Sequence, residues 1–339
     1  MSVRELGEFG LIDRLRHVFE ANYSHRGGRD DAFRLLVENG DDAAAWDGPA
    51  GTTVLTCDAM AAGTHFDLAY SGPEDVGWRA MVSCQSDIAA MGFLPAYSTV
   101  TVGLTGEEEA ETVERLYVGM AQACSRYGGR IVGGDVVRAV GLFLSVAMIG
   151  ADPSVATGGA TRPMTRSAAR AGDVIAVTGP VGGSAGGLEI LKEGKDARGP
   201  DAEALVRSHL RPRPRVWTAI RLAAAGVRCA VDISDGLLAD LIRVCESSGK
   251  GAVVRIADLP VQPELKAAFP DDWREMALSG GEGYQLLFTA PRELVDGARE
   301  VDPDIVSIGE VLDDQREVSV VAEDGSTVEG RSGFDHFAS

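Results

Sequence analysis

Aspartate recurs where the apolar runs of this chain stop. Asp42 stands in Gly40-Asp41-Asp42, Asp58 in Thr56-Cys57-Asp58, Asp87 in Ser86-Asp87 and Asp135 in Gly133-Gly134-Asp135. Asp232 and Asp235 share the segment Asp232-Ile233-Ser234-Asp235-Gly236. A carboxylate at the end of a buried strand is costly unless something cationic meets it. Ligand sets made of oxygen alone favour hard divalent cations. At an effective dielectric of about 20, like charges about 4 Å apart repel by roughly 4 kcal/mol. Convergence of these side chains therefore calls for metal, and the pattern points to metal-dependent phosphoryl transfer.

The overall charge narrows the partners. The chain carries 51 acidic against 32 basic residues, a net charge of −19 over 339 positions. Nucleic acid needs a basic surface, so it is not an expected partner. Aromatic residues are 6% of the chain, too few for a base-stacking platform. The cysteines at 57, 84, 124, 229 and 245 show no Cys-x-x-Cys spacing and no accompanying His cluster, which speaks against a zinc site or a disulfide framework. The N-terminal residues are charged where a signal peptide needs an apolar core, and no apolar run is long enough for a bilayer. A soluble, cytoplasmic protein with no membrane partner is expected.

Periodicity predicts two domains. In the first, residues 1–150, an amphipathic helix over 8–20 is followed by a largely polar stretch over 21–40. Strand, helix, strand, helix and two strands then alternate from Thr52 to Gly150. That order implies an α+β layer with helices on one face of a sheet. In the second, residues 151–339, strands and helices alternate more in the manner of an α/β unit. The expected class is therefore α/β, with an α+β N-terminal domain and an α/β C-terminal domain.

Each motif also has a plainer reading. Gly40-Asp41-Asp42 could be a simple turn, and Asp58 could close an Asx turn. Asp87 lies in a helix with little polar face, since Ile88, Ala89, Ala90 and Met91 follow it. Gly133 and Gly134 permit close approach to a phosphate or metal, or serve a hairpin. Ser234 or Asp235 could cap the helix that starts after them, although a helix N-terminus also suits an anion. The Gly-rich stretch from Thr178 to Gly187 lacks the P-loop lysine and the dinucleotide spacing, so tight strand–helix packing is its first reading. Glu282, in Gly280-Gly281-Glu282-Gly283-Tyr284, reads as a substrate contact or a turn residue. His65 is the histidine nearest Asp58 in sequence, and no Ser-His-Asp logic is visible.

Taken together, the segments from Gly7-Glu8-Phe9 to Gly333-Phe334-Asp335-His336-Phe337 resemble the thiamine-monophosphate kinase family. Its wider superfamily includes aminoimidazole ribonucleotide synthetase, selenophosphate synthetase and a hydrogenase maturation protein. The resemblance implies a two-domain α/β fold whose N-terminal domains pair into a barrel-like homodimer. It implies transfer of the γ-phosphoryl group of ATP to thiamine monophosphate. It places several Mg²⁺ ions on Asp42, Asp58, Asp87, Asp135 and Asp232, with Thr56 and Cys57 at neighbouring ligand positions and Asp235 holding a further ion. It puts Gly134, Arg166 and Ser234 against ATP, and His65, Glu282 and Phe334 against thiamine monophosphate. The N-terminal domain would carry ATP, Mg²⁺ and the dimer contact, and the C-terminal domain would complete the cleft. No general base is needed, because the attacking phosphate is already ionised and positioning with metal does the work.

Some positions depart from the family pattern. Cys57 stands where Thr is common, and Cys84 where Asn is common. The family's Gly-Glu-Asp-Tyr-Glu reads Gly281-Glu282-Gly283-Tyr284-Gln285, two carboxylates fewer. A paralogous kinase or synthetase with another phosphorylated or carboxylated acceptor is the alternative. The synthetase's Lys after the second aspartate motif is missing from Asp58–Leu68, no Cys precedes Cys57 to serve selenophosphate chemistry, and the chain ends in Ser339 where the maturation protein ends in Cys. These features favour the kinase over the synthetases. A non-catalytic nucleotide or thiamine sensor would not need so many aspartates.

Overall fold

A computed structural model describes residues 2–6, 8–24, 34–37, 45–48, 51–155, 159–192, 199–313, 317–322 and 324–328, the side chains of 8, 9, 34–37 and 45–47 excepted. Two compact units emerge: Met1–Ile88 with Phe93–Thr161, and Ala89–Gly92 with Arg162–Ser339. Among the described residues no helix is long and apolar enough to cross a membrane.

The first unit holds α1 (Val3–Leu6), α2 (Glu8–Asn22), β1 (Arg34–Val37), β2 (Ala45–Asp47), β3 (Thr53–Ala61), α3 (Pro73–Ala90), β4 (Leu94–Leu104), α4 (Ala110–Tyr127), β5 (Arg130–Arg138) and β6 (Phe143–Ala151). β1 and β2 form a separate antiparallel pair, with β1 inside the stretch over 21–40 that the sequence reading had as largely polar. The main sheet runs β3-β6-β4-β5. β6 pairs antiparallel with both neighbours, and β4 with β5 is parallel. Along β6 the even-numbered residues are buried and most odd-numbered ones half-buried, so one face carries the core, as strand alternation dictates. Helices α3 and α4 cross closely through glycines. A Cβ on Gly77 would sit 1.9 Å from the Leu116 carbonyl oxygen, and one on Gly119 would sit 1.8 Å from that of Glu74.

The second unit holds β7 (Val174–Val177), α5 (Gly183–Lys192), α6 (Pro200–Leu210), α7 (Val216–Ala225), β8 (Cys229–Asp232), α8 (Leu237–Ser248), β9 (Gly251–Arg255), α9 (Pro263–Ala268), α10 (Trp273–Ser279), β10 (Leu286–Ala290), α11 (Arg292–Val301), β11 (Val306–Leu312), β12 (Val318–Val321) and β13 (Thr327–Val328). The sheet order is β13-β12-β9-β11-β7-β10-β8. Strands and helices alternate in sequence, yet every pairing is antiparallel except β12 on β9. β7, β8 and β10 are buried along their whole length. Ile175, Val177, Cys229, Val231 and Leu287 from these strands join Leu237, Leu241 and Val244 of α8 in one continuous core, so a carboxylate on these elements sits in an apolar setting.

Candidate functional site

In the first unit the site grows from strand alternation. Thr56 and Asp58 sit two apart on β3 and share its more buried face, while Cys57 turns to the exposed side. Thr56 Oγ1 donates to Asp87 Oδ2 of α3 at 2.6 Å. Cys84, about one helical turn before Asp87, is fully buried and its Sγ donates to the Val146 carbonyl at 3.2 Å. Val146 in turn pairs with Asp58 across the strands. Burial first, and then the charges of Asp58 and Asp87, push the Cys84 thiol well above its usual range. Both carboxylates therefore act on one point. Oxygen donors from Thr56, Asp58 and Asp87 around that negative field fit a hard divalent cation whose remaining ligands come from substrate phosphates, the usual way magnesium is held. Among the described residues, no three His, Cys, Asp or Glu side chains form a ready-made metal cage.

His65 follows β3 in a turn. Its Nδ1 accepts the Ala61 N–H at 3.1 Å, which leaves Nε2 as the protonated nitrogen of the neutral ring. The His65 carbonyl accepts from Arg79 Nη2 at 2.9 Å. Arg79 is fully buried, and a buried cation of this kind fixes the turn that carries the histidine.

Gly134 and Asp135 stand apart from that group. Asp58, Val146, Val100 and Gly134 form one row across the sheet, and Ala59, Ser145, Thr101 and Asp135 form the next. β6 and β4 lie between β3 and β5, a backbone separation of roughly 14 Å at the usual strand spacing. Gly134 and Asp135 line a small cavity of about 50 Å³ together with Arg16 and Glu20 of α2.

In the second unit two loops are laced together. β8 delivers Asp232, 2% exposed, opposite Leu286 of β10. The Ser234 carbonyl accepts the Glu282 N–H at 2.8 Å, the Ile233 carbonyl accepts that of Tyr284 at 3.0 Å, and the Ile233 N–H reaches the Gln285 carbonyl at 2.7 Å. Glu282 and Tyr284 take φ values of 58° and 50°, left-handed conformations that side-chain-bearing residues rarely adopt. Asp232, Ser234, Asp235 and Glu282 are thus held in one patch of backbone.

Asp240 of α8 organises that patch. It is fully buried, and its Oδ2 accepts the N–H groups of Ser234 and Asp235, both at 3.1 Å. Arg243 Nη1 donates to Asp240 Oδ1 at 2.9 Å and to Asp235 Oδ2 at 2.5 Å. Burial, then the charge of Asp235, raises the Asp240 carboxyl to about 6. Asp235 therefore faces a guanidinium in this structure. Glu282 Oε2 lies 3.7 Å from Nδ1 of His209, whose ring also meets Ser184 Oγ at 3.1 Å.

Arg166 lies elsewhere. Its carbonyl accepts from Ser248 Oγ at 2.7 Å, at the C-terminal end of α8, whereas Ser234 precedes that helix's start. Its side chain is exposed. Asp42 and Phe334 fall outside the described residues.

Arg79, Asp240 and Arg243 escaped the sequence reading. Asp240 had a readable signal: it takes a slot in the apolar stripe of Leu237, Leu241 and Val244, where a carboxylate is expensive without partners.

Comparisons with known proteins converge. Residues 40–151 match the AIR synthase related protein, N-terminal domain, and residues 170–322 match the corresponding C-terminal domain. Thiamine-monophosphate kinase of Aquifex aeolicus is 34% identical over 340 residues, covering 99% of this chain and 100% of that protein. The crystal structure of thiamine-monophosphate kinase from Stenotrophomonas maltophilia K279a superposes with a TM-score of 0.79 at 32% identity, covering 94% of this chain and 96% of that one. AaThiL complexed with AMPPCP and TMP superposes with a TM-score of 0.76 at 33% identity, covering 99% of both chains.

Proposed function

The chain belongs to the thiamine-monophosphate kinase family, and we propose that its residues perform the family reaction with Mg²⁺. An oxygen of the thiamine monophosphate phosphate attacks the γ-phosphorus of ATP, a new P–O–P bond forms, the bond to the β-bridging oxygen breaks, and ADP leaves with that electron pair. The attacking oxygen is already ionised, so no side chain removes a proton. The observation that carries this reading is identity along the whole chain to a named kinase, supported by a neighbour bound to an ATP analogue and TMP.

Magnesium, when bound, supplies charge neutralisation between the two anionic substrates. Thr56, Asp58, Asp87 and the backbone at Cys57 would hold one ion in the N-terminal unit, with Asp42 as a further ligand, and Asp135, two strands away, would serve a separate ion. Asp232 and Asp235 would hold magnesium in the C-terminal unit. The Thr56 hydroxyl orients Asp87, and the Asp240–Arg243 pair orients the loop of Ser234 and Asp235. Gly134, Arg166 and Ser234 would contact ATP, and His65, Glu282 and Phe334 would contact thiamine monophosphate. The N-terminal unit would also make the homodimer contact, and the free thiols of all five cysteines suit the reducing cytoplasm.

The test is product identity. Purified protein incubated with ATP, Mg²⁺ and thiamine monophosphate should form thiamine diphosphate and ADP in equal amounts, and excess EDTA should stop it. ADP without thiamine diphosphate would defeat the assignment.

A further inference from the structure

Of the ionisable side chains described on α2, all but one have partners. Asp13 lies 3.6 Å from His17, Arg14 pairs with Glu114, and Glu20 meets Arg130 at 3.0 Å. The exception is Arg16, whose guanidinium makes no ion pair or hydrogen bond with a described residue. Leu11, Leu15 and Phe19, four apart, are buried. Ile12, Arg16 and Glu20 form the next row round the helix, and that row lines the cavity shared with Gly133, Gly134 and Asp135 of β5.

Two opposite charges in this cavity do not meet. Glu20 is held by Arg130, which leaves Arg16 and Asp135 among the charged lining residues. Neither forms an ion pair with the other or with another described residue. A guanidinium and a carboxylate that line one cavity without pairing are satisfied together by a group that carries both an anionic oxygen and a cation. A metal-bound phosphate is such a group. Its metal suits the carboxylate, and its oxygens suit the guanidinium fork. Gly133 and Gly134 put no side chain in its way.

We propose that Arg16 is a nucleotide-binding residue of this chain, a cation on α2 that takes an oxygen of the ATP phosphate chain whose magnesium Asp135 holds. This role rests on the reading that Gly134 and Asp135 contact ATP and its metal, and it adds a side chain from the same unit that acts on the phosphates directly. In a chain of net charge −19, a positive group beside the triphosphate also offsets the repulsion that the surrounding carboxylates exert on it.

The experiment is calorimetric titration of the full chain with magnesium ATP, and in parallel with magnesium tripolyphosphate, which has the phosphate chain and no nucleoside. Arg16 is exposed, so Arg16→Gln should keep the wild-type melting temperature while it weakens both ligands at least fivefold. Arg16→Lys should restore most of that loss, because a compact charge still meets one oxygen. Arg4→Gln removes the same charge from an exposed pair with Glu107 on this unit and should bind as wild type does. In rate measurements, Arg16→Gln should raise KM for ATP while kcat and KM for thiamine monophosphate hold, a split that general damage to the fold does not produce. A loss confined to ATP would put Arg16 against the nucleoside and overturn the phosphate contact. Wild-type affinity for ATP in Arg16→Gln would overturn this role alone. Failure of ATP to bind wild type would overturn it together with the reading on which it rests.

Discussion

Thr56 on β3 and Asp87 on α3 are joined by a hydroxyl-to-carboxylate hydrogen bond of 2.6 Å. The bond spans a strand and a helix, and it fixes one carboxylate oxygen relative to Asp58, two residues along the strand from Thr56. Thr56→Val keeps the shape and removes the donor. The expected cost in stability is about 1–2 kcal/mol. The expected effect on catalysis is larger: kcat/KM down tenfold or more, with a higher Mg²⁺ concentration needed for half-maximal rate. A magnesium titration beside a melting curve separates the two.

Asp240 holds the Ser234–Asp235 loop by two backbone N–H groups. Asp240→Ala leaves those half-buried donors without their acceptor, and Arg243 with one carboxylate partner fewer. We expect at least a tenfold loss of kcat, with a loss of stability of about 2–3 kcal/mol. Asp240→Asn keeps one acceptor oxygen and should restore part of both. Equal kcat in all three proteins would remove Asp240 from any positioning role.

Asp152 gives a pH signature. It is 2% exposed. Burial alone would raise its carboxyl, but hydrogen bonds from Ser154 and Thr161 outweigh it and hold the group below its usual value. A depressed folded pKa means that the unfolded chain binds the proton more readily. The group therefore stabilises the fold above the ordinary aspartate value of about 3.9 and loses that contribution as pH falls through the lower folded value. Asp152→Asn should be less stable than wild type at pH 7, and the gap in urea unfolding should hold level down to about pH 5 and shrink from there to pH 3. A gap that stays constant over that range would contradict this.

Gly77 and Gly119 let α3 and α4 approach. Alanine at either position drives a Cβ to within 2 Å of a backbone oxygen. Backbone cannot step aside as a side chain does, so each substitution should destabilise by about 1–3 kcal/mol. Denaturant midpoints of the two single variants check it. Because α3 carries Asp87, activity should fall with stability.

How much of this could be read from the chain depends on how local the signal is. Asp58 stood out as a carboxylate on an apolar strand, which the sequence reading ended at Asp58 but which runs on to Ala61, while Thr56 and Cys57 entered only through the family resemblance; the apolar run around Asp87 marked a carboxylate in the wrong company. The loop from Asp232 to Gly236 was legible from its turn residues between a strand and a helix. The lacing of that loop to Glu282 was not, since it depends on β10 lying beside β8 despite their distance in sequence. Asp240 was readable as a carboxylate in the apolar stripe of α8, but its bonds to the Ser234–Asp235 loop depend on how that loop folds back onto the helix. Asp135 reads in sequence much like Asp58, but the sheet order sets two strands between theirs. The short helices α9 and α10 had too few turns for a clear period.

The account rests on oxygen ligands that make magnesium, and not a side-chain base, the centre of the reaction. Its most direct test is the rate of thiamine diphosphate formation by Asp58→Asn across a range of Mg²⁺ concentrations, with the melting temperature measured on the same samples. We expect at least a hundredfold loss at low Mg²⁺, partial recovery as Mg²⁺ rises, and a melting temperature at or above that of wild type, since the charge of Asp58 no longer adds to that of Asp87 beside the same point. Wild-type rates at every Mg²⁺ concentration, or loss of activity that follows loss of the fold, would contradict it.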